Sequence, residues 1–357
     1  MVNVLGYDIG GANTKAAFIT TKKGKLQNSK VAVQYFPIWK EPEKLAGVLL
    51  EVKKRLNAVR IDGVGITMTA ELSDVYSTKR EGVHQILSCV KRVFPNLPIF
   101  VLNTDVILLS FDAAYEVPLK AAAANWAATG WLVAHRIKDC VIVDVGSTST
   151  SIIPIVDAKV VAKGKTDLDK LLCGELVYTG SLRTNAATIV HSIPIKNGVA
   201  QVASELFALS ADVHLALGNI TEKEYICDTA DGRERTLAES FSRLARVVCA
   251  DTEMLTQKEI VSMANYICNK QIAQVTEGLS KVYSFTKNLT SRMVPVVVTG
   301  LGKDFIARKA AEKIDVDCII DLGTLIQNCA VMATPAFGVA LMVATKIEGE
   351  IVNWTPQ

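Results

Sequence analysis

The chain has 357 residues, half of them apolar, and its 39 lysines and arginines against 36 aspartates and glutamates leave a net charge of +3. So balanced a charge gives no electrostatic footprint for nucleic acid or a membrane surface, and the length suits two globular domains of about 100–200 residues each. A small-molecule ligand in a cytoplasmic protein is the expectation that remains.

The first elements are strands at 2–9 and 14–20, joined by the short run Gly10-Gly11-Ala12-Asn13 that follows Asp8. Small residues let backbone N–H groups approach an anion without obstruction, which is what a phosphate cradle needs. The residues after Met1 read as a strand with an early Asp8 and lack a basic n-region, so no secretory leader is expected. Next, "EPEKLAGVLLEVKKRLN" spaces Leu45, Leu49, Val52 and Leu56 as an amphipathic helix, "DGVGITMT" reads as a strand, "EGVHQILSCVKRVF" as a helix and "PIFVL" as a strand. This alternation predicts an α/β domain with a mixed sheet. An alanine-rich helix is expected over 119–135.

A second strand-loop-strand, "CVIVDVGSTSTSIIPIV" at 140–156, repeats the opening design. Asp144-Val145-Gly146-Ser147-Thr148-Ser149-Thr150 follows the order of Asp8-Ile9-Gly10-Gly11-Ala12-Asn13-Thr14. Helical segments are expected over 199–217, 234–249 and 257–283. A third glycine signal follows: "VPVVVTGLGKDFIARK" predicts a buried strand, a turn through Gly300 and Gly302, and a helix with Phe305 and Ile306 on its apolar face. The apolar stretch 329–345 is shorter than the ~20 residues of a membrane span and contains Pro335, so it reads as a buried helix.

The cysteines Cys89, Cys140, Cys173, Cys227, Cys249, Cys268, Cys318 and Cys329 never form C-x-x-C. They are expected as buried thiols in a reducing compartment, not as a disulfide framework or zinc site. The histidines are dispersed, and none is assigned to a metal or to catalysis.

An aspartate at each strand end suits a hydrated Mg²⁺, a hard cation with oxygen ligands, so Asp8 and Asp144 are the candidate metal ligands. Lys15 adds a point charge for phosphate, and the hydroxyls of Thr14, Ser147, Thr148 and Ser149 add donors. One such loop is an ordinary turn; two hairpins and a late T-G-x-G turn in this order are more specific.

That ordered trio resembles the phosphate and adenosine elements of the superfamily of sugar kinases, acetate kinase, chaperone ATPases and actin. The resemblance implies an α/β, two-domain actin-like ATPase (ribonuclease H-like) fold with mixed sheets flanking a central cleft. The division expected is 1–135 with the C-terminal helix 334–357, and 136–333 with a helical insertion. Gly338 and Ala340 would let that final helix pack closely.

A narrower resemblance rests on "YDIGGANTK", "ITMTAELSDVYSTKREGV", "AAAANWAAT", "VDVGSTSTSIIPI", "KTDLDKL", "LVYTGSLRT", "CDTADG", "RLARVVCADTEML" and "VVTGLG". Together these look like the hydantoinase-related archaeal family that includes the methanofuran-biosynthesis transferase. Ser151 stands where that pattern suggests an acidic residue. The resemblance implies that a furanmethyl diphosphate and γ-glutamyltyramine are condensed to an aryl ether with release of pyrophosphate. The cradle would then hold a diphosphate leaving group, with Mg²⁺ and Lys15 countering the developing charge.

The phenol has an ordinary pKa near 10 and would profit from a carboxylate base, for which Glu71 is the candidate and a capping role the plain alternative. Thr69, just before Glu71, is a candidate for binding substrate. Arg183 could hold a substrate carboxylate or make a structural ion pair. Asn125 and Trp126 could orient a ring or simply pack. Asp105, after a strand, is a lesser candidate base. Two other functions stay open from the sequence: an ATP-dependent small-molecule kinase or hydantoinase-like ATPase, and a nucleotide-gated assembly protein. ATP therefore stays open as a ligand beside Mg²⁺.

Overall fold

The computed structural model describes residues 1–316, 318–326 and 328–354, which form two compact units. The Cys329 side chain and residues 355–357 lie outside the described residues. The first unit runs over Met1–Cys140, Ile153–Lys170 and Asp321–Gln357, and the second over Val141–Ile152 and Leu171–Ile320. The first unit thus takes in 136–140, 153–170 and 321–333, which the division expected from sequence gives to the second.

In the first unit, β1 (Val2–Ile9) is buried from Val4 to Ile9 because it has a neighbour on each side. It pairs antiparallel with β2 (Asn13–Lys22) and parallel with β4 (Gly63–Met68). Between these lies β3 (Lys25–Tyr35), which the sequence reading missed. Its polar composition fits an edge strand, and Lys23 and Gly24, both at positive φ, close the two-residue turn before it.

The helices α1 (Leu45–Arg55) and α2 (Lys79–Val93) bury Leu49, Val52, Val83, Ile86, Leu87 and Val90 in the core of this unit. Thr78 caps α2 by accepting the Glu81 N–H. With β5 (Ile99–Leu102) and β6 (Leu108–Ser110), the sheet order is β3-β2-β1-β4-β5-β6.

The expected alanine-rich helix is broken. After α3 (Phe111–Glu116), α4 (Pro118–Ala121) ends at a turn with Ala123 at φ 51°, and α5 (Asn125–Ala134) starts afresh. A left-handed alanine costs about 1–2 kcal/mol, so helix propensity has yielded to a tertiary demand. That turn aims the Ala123 N–H toward Glu71.

The second unit is built on β7 (Cys140–Val145) and the opening residues of β8 (Thr150–Val156), whose remainder, with the short β9 (Lys159–Val160) paired on it and the residues up to Lys170, falls in the first unit. After α6 (Asp167–Cys173), β10 (Leu176–Val177) joins the sheet edge, and α7 (Ala186–Ile189) follows. The expected helix over 199–217 is mostly absent. The Lys196-Asn197 turn joins β11 (Ser192–Ile195) to β12 (Gly198–Gln201), and only α8 (Ser210–Ala216) is helical.

The helices α9 (Leu237–Arg246) and α10 (Gln257–Lys287) fill this core, α10 beginning with a capping box between Thr256 and Glu259. Then β13 (Val296–Thr299) runs parallel to β7, followed by a π-helical turn at Lys303–Ala307, α11 (Arg308–Ala311) and β14 (Ile319–Asp321). The sheet order is β10-β8-β7-β13-β14. Ile306 is buried there and Phe305 packs against the core, as expected.

Back in the first unit, α12 (Asn328–Val331) precedes α13 (Thr334–Glu348), a helix buried from Thr334 to Ala344 that packs on β1, β4 and α5. Gly338 lies against the Ala128 backbone, the close approach its lack of a side chain predicts.

Candidate functional site

The two loops singled out in the sequence are the same turn built twice. The Gly10 N–H donates to the Asn13 carbonyl at 3.0 Å, and the Gly146 N–H donates to the Ser149 carbonyl at 3.0 Å. These two N–H groups are therefore spent inside their turns, which corrects the expectation that they face an anion. The hydroxyls and carboxylates around the turns remain.

In the first unit, Asp8 is buried at the end of β1, in register with Lys15 on β2 and with Thr67 on β4. The Lys15 Nζ lies 3.8 Å from the Asp8 Oδ2. The Thr14 and Thr67 hydroxyls and the Asn13 Oδ1 are buried without a hydrogen-bond partner. The loop is held from outside: Ile38 N–H donates to the Gly11 carbonyl and Phe36 N–H to the Ala12 carbonyl, both at 2.9 Å. Thr69 closes the far side, its N–H donating to the Ile9 carbonyl at 3.0 Å.

This oxygen-rich set fits a hard cation. Among the described residues no group of three or more His, Cys, Asp or Glu side chains stands ready for a metal. A cation here would be held through one carboxylate, hydroxyls and water, the manner in which Mg²⁺ is commonly bound.

Glu71 lies just beyond Thr69, in the single turn Ala70–Leu72, and is 1% exposed. Neither carboxylate oxygen reaches a partner at hydrogen-bonding geometry. Burial pushes its pKa up to about 7; the N–H groups of Glu71 and Ala123 and the Lys79 ammonium pull it back, and Asp167 pushes it further up.

Asn125 and Trp126 open α5, two residues after Ala123. Trp126 is buried, and the Lys170 ammonium lies 3.6 Å above the centre of its ring. That face is therefore occupied by a cation. Asp105 is ion-paired with Lys165 at 3.1 Å and with Lys120 at 3.8 Å.

In the second unit, Asp144 ends β7 in register with Thr299 on β13, whose buried hydroxyl has no partner. The segment 180–183 underlies the loop. Ser181 donates to the Gly146 carbonyl through both its N–H and its hydroxyl, and the Leu182 and Arg183 N–H groups donate to the Ser147 carbonyl. Arg183 also donates from Nη1 to the Thr148 hydroxyl at 3.2 Å, so it belongs to this loop. The third glycine signal buttresses the same place: the Gly302 N–H donates to the Val145 carbonyl, and a Cβ on Gly300 would stand 2.7 Å from the Asp144 Oδ1.

A buried polar chain supports segment 179–184, and sequence reasoning missed it. Gln271 Nε2 donates to the Thr179 hydroxyl and the Gly180 carbonyl, both at 2.8 Å. Its Oε1 must then accept from His214 Nε2 at 2.9 Å, which leaves the His214 Nδ1 to accept from Asn219. Burial holds the His214 pKa down to about 4, so the ring is neutral. Also unforeseen is the buried Arg243, whose Nε donates to Asp212 at 2.8 Å. No motif marks either group; only their tertiary surroundings do.

The seven described cysteines are free thiols, but Cys249 and Cys318 are exposed, which corrects the expectation that all are buried. Among the described residues no helix is long and apolar enough to cross a membrane.

The fold, with its duplicated strand-end turns, is the actin-like ATPase fold expected from the sequence, and the chain belongs to the hydantoinase/oxoprolinase family, whose model matches residues 62–346. More narrowly, it is 38% identical over 348 residues to the (4-{4-[2-(gamma-L-glutamylamino)ethyl]phenoxymethyl}furan-2-yl)methanamine synthase of Methanocaldococcus jannaschii, covering 97% of this chain and 99% of that relative. The synthase of the same name from Methanococcus vannielii is 35% identical over 216 residues, 60% of this chain and 95% of that one. A solved structure of nucleotide-free acetone carboxylase shares the fold at 11% identity and a TM-score of 0.60, over 95% of this chain and 70% of that chain.

Proposed function

We propose that this protein is a transferase of methanofuran biosynthesis, condensing (5-(aminomethyl)furan-3-yl)methyl diphosphate with γ-glutamyltyramine to give an aryl ether and pyrophosphate. The observation that carries this is the near full-length likeness to a relative whose name describes that ether. Undoing the phenoxymethyl link leaves a phenol on one side and a furanmethyl carbon on the other. The same likeness favours the transferase over a kinase or an assembly protein.

In the reaction the phenolic oxygen attacks the furanmethyl carbon. The bond from that carbon to the diphosphate oxygen breaks, and its electron pair leaves with pyrophosphate. The furan ring spreads positive charge from the methylene, so stabilising the leaving group is the protein's largest task. Lys15, held beside Asp8, supplies a fixed positive charge, and the Thr14 and Thr67 hydroxyls supply donors. A divalent cation such as Mg²⁺, held by Asp8, would neutralise further charge on the diphosphate. Within the second unit, Asp144 offers a carboxylate that could hold an ion of its own, and Ser147, Thr148 and Arg183 a further set of donors.

Glu71, with a pKa near 7, is matched to accept the phenolic proton at neutral pH. Because its carboxylate is enclosed, the Ala70–Leu72 turn must shift to bring it to the phenol.

The test is an incubation of purified protein with both substrates and Mg²⁺, without nucleotide, run beside a control incubation in which ATP hydrolysis is followed. Ether and pyrophosphate in equal amounts, lost in Asp8→Asn, are expected. ATP turnover with no ether would overturn the proposal.

A further inference from the structure

Glu71 is enclosed by groups that the reaction does not use. The first turn of α2 presses on its backbone: a Cβ on Gly82 would stand 2.4 Å from the Glu71 carbonyl oxygen. Only glycine fits there, and Lys79, one turn earlier, lies on the same face of α2. Lys79 does not turn its ammonium into the partnerless carboxylate. It reaches Asp167 at the start of α6, with Nζ 2.5 Å from Oδ2. The segment before α6 is tied down as well, because Lys165 pairs with Asp105 and donates to the Thr104 carbonyl at 3.3 Å.

We propose that the Lys79–Asp167 ion pair is a positioning device for Glu71, in which Asp167 draws the Lys79 ammonium aside so that the enclosed carboxylate stays unpaired and basic. The inference rests on the reading of Glu71 as the base. The charged groups acting on Glu71 are Lys79 from α2 and Asp167 from α6, and the other influences are the N–H groups of Glu71 and Ala123. Asp167 works in two ways: its own negative charge disfavours a second carboxylate nearby, and its bond to Lys79 keeps a cation from capturing Glu71. If Lys79 paired with Glu71 instead, the base would be a weak, salt-bridged carboxylate. Both partners are about a quarter exposed, so solvent moderates the effect without abolishing it.

The experiment follows the Glu71 carboxyl directly, by NMR titration of protein labelled with ¹³C-glutamate, the Glu71 signal being identified by its loss in Glu71→Gln. The wild-type signal should titrate near pH 7. Asp167→Asn should lower that midpoint by about one unit and Lys79→Met should raise it by about one unit. The double variant should return close to wild type, and Lys79→Arg should leave the midpoint in place. The acidic limb of the kcat/KM profile should move in the same two directions.

A merely structural pair would shift both single variants the same way or neither, and either result overturns the proposal. Should one single variant fail to fold, the other still gives a signed answer. The two readings fail separately. Opposite shifts with full turnover in Glu71→Gln would keep the positioning device and remove the base, whereas an inactive Glu71→Gln with unmoved midpoints would do the reverse.

Discussion

Asp8 on β1 and Thr67 on β4 stand in register across two parallel strands, and Asp144 on β7 and Thr299 on β13 repeat the relation in the second unit. In both pairs the threonine is fully buried and its hydroxyl has no partner. A buried orphan hydroxyl ordinarily costs about 1–3 kcal/mol, so its recurrence beside both aspartates points to a role in binding.

Valine in place of Thr67 keeps the shape and removes the hydroxyl. Thr67→Val should keep or raise the melting temperature while lowering kcat/KM about 10- to 150-fold, the worth of a hydrogen bond to a charged partner. Steady-state kinetics beside thermal melts would check this. Unchanged kinetics would leave the hydroxyl with no part in binding.

Gly180 lies under the second turn, where an added Cβ would stand 2.6 Å from the backbone of Ser147 and Thr148. Gly180→Ala should therefore push that turn out of place, destabilise the protein by about 1–3 kcal/mol and abolish turnover. Denaturant unfolding and activity at saturating substrate read the two effects.

Glu71 also predicts how stability changes with pH. Its pKa rises from an ordinary 4.5 to about 7 on folding, so between those values the folded state holds a proton that the unfolded state has lost. Stability therefore falls as pH rises through that window, by up to about 3 kcal/mol. Glu71→Gln should be more stable than wild type at pH 8, and the gain should shrink towards pH 5. Urea midpoints at the two pH values would show it.

His214 titrates with the opposite slope. Folding lowers its pKa from 6.5 to about 4, so the stability it contributes is present above pH 6.5 and is lost as pH falls towards 4. His214→Gln should flatten the pH dependence of unfolding over this range. Loosening of the Gln271 contacts should also lower turnover, because they hold the 179–184 segment under the second loop.

Much of the fold was legible because its elements are periodic and its turns chemically marked. The buried strands β1, β4 and β7 read as apolar runs, α1 and α2 as amphipathic stripes, and the paired Asp-x-Gly turns as a repeat. What failed has local causes. The alanine run before α5 carries a good helix sequence that the Ala123 turn overrides, and the stretch expected as helix from 199 opens instead in a hairpin whose turn is Lys196, at positive φ, and Asn197.

Of the site, Asp8, Lys15 and Glu71 were visible through loop position, and the structure adds the burial that raises the Glu71 pKa. Thr67, Thr299, Gln271 and His214 were not visible, since a lone polar residue in an apolar run declares nothing until its neighbours in space are known. Trp126 shows the converse: its motif drew attention, and the structure finds its ring face covered by Lys170.

The central claim is that diphosphate leaves from the furanmethyl carbon and that the ether oxygen is the phenol's. Donor labelled with ¹⁸O at the oxygen bridging carbon and phosphorus tests it most directly, by mass spectrometry of both products. All the label in pyrophosphate and none in the ether is the predicted result. Label retained in the ether would mean that the phosphorus–oxygen bond breaks instead, and would contradict the account.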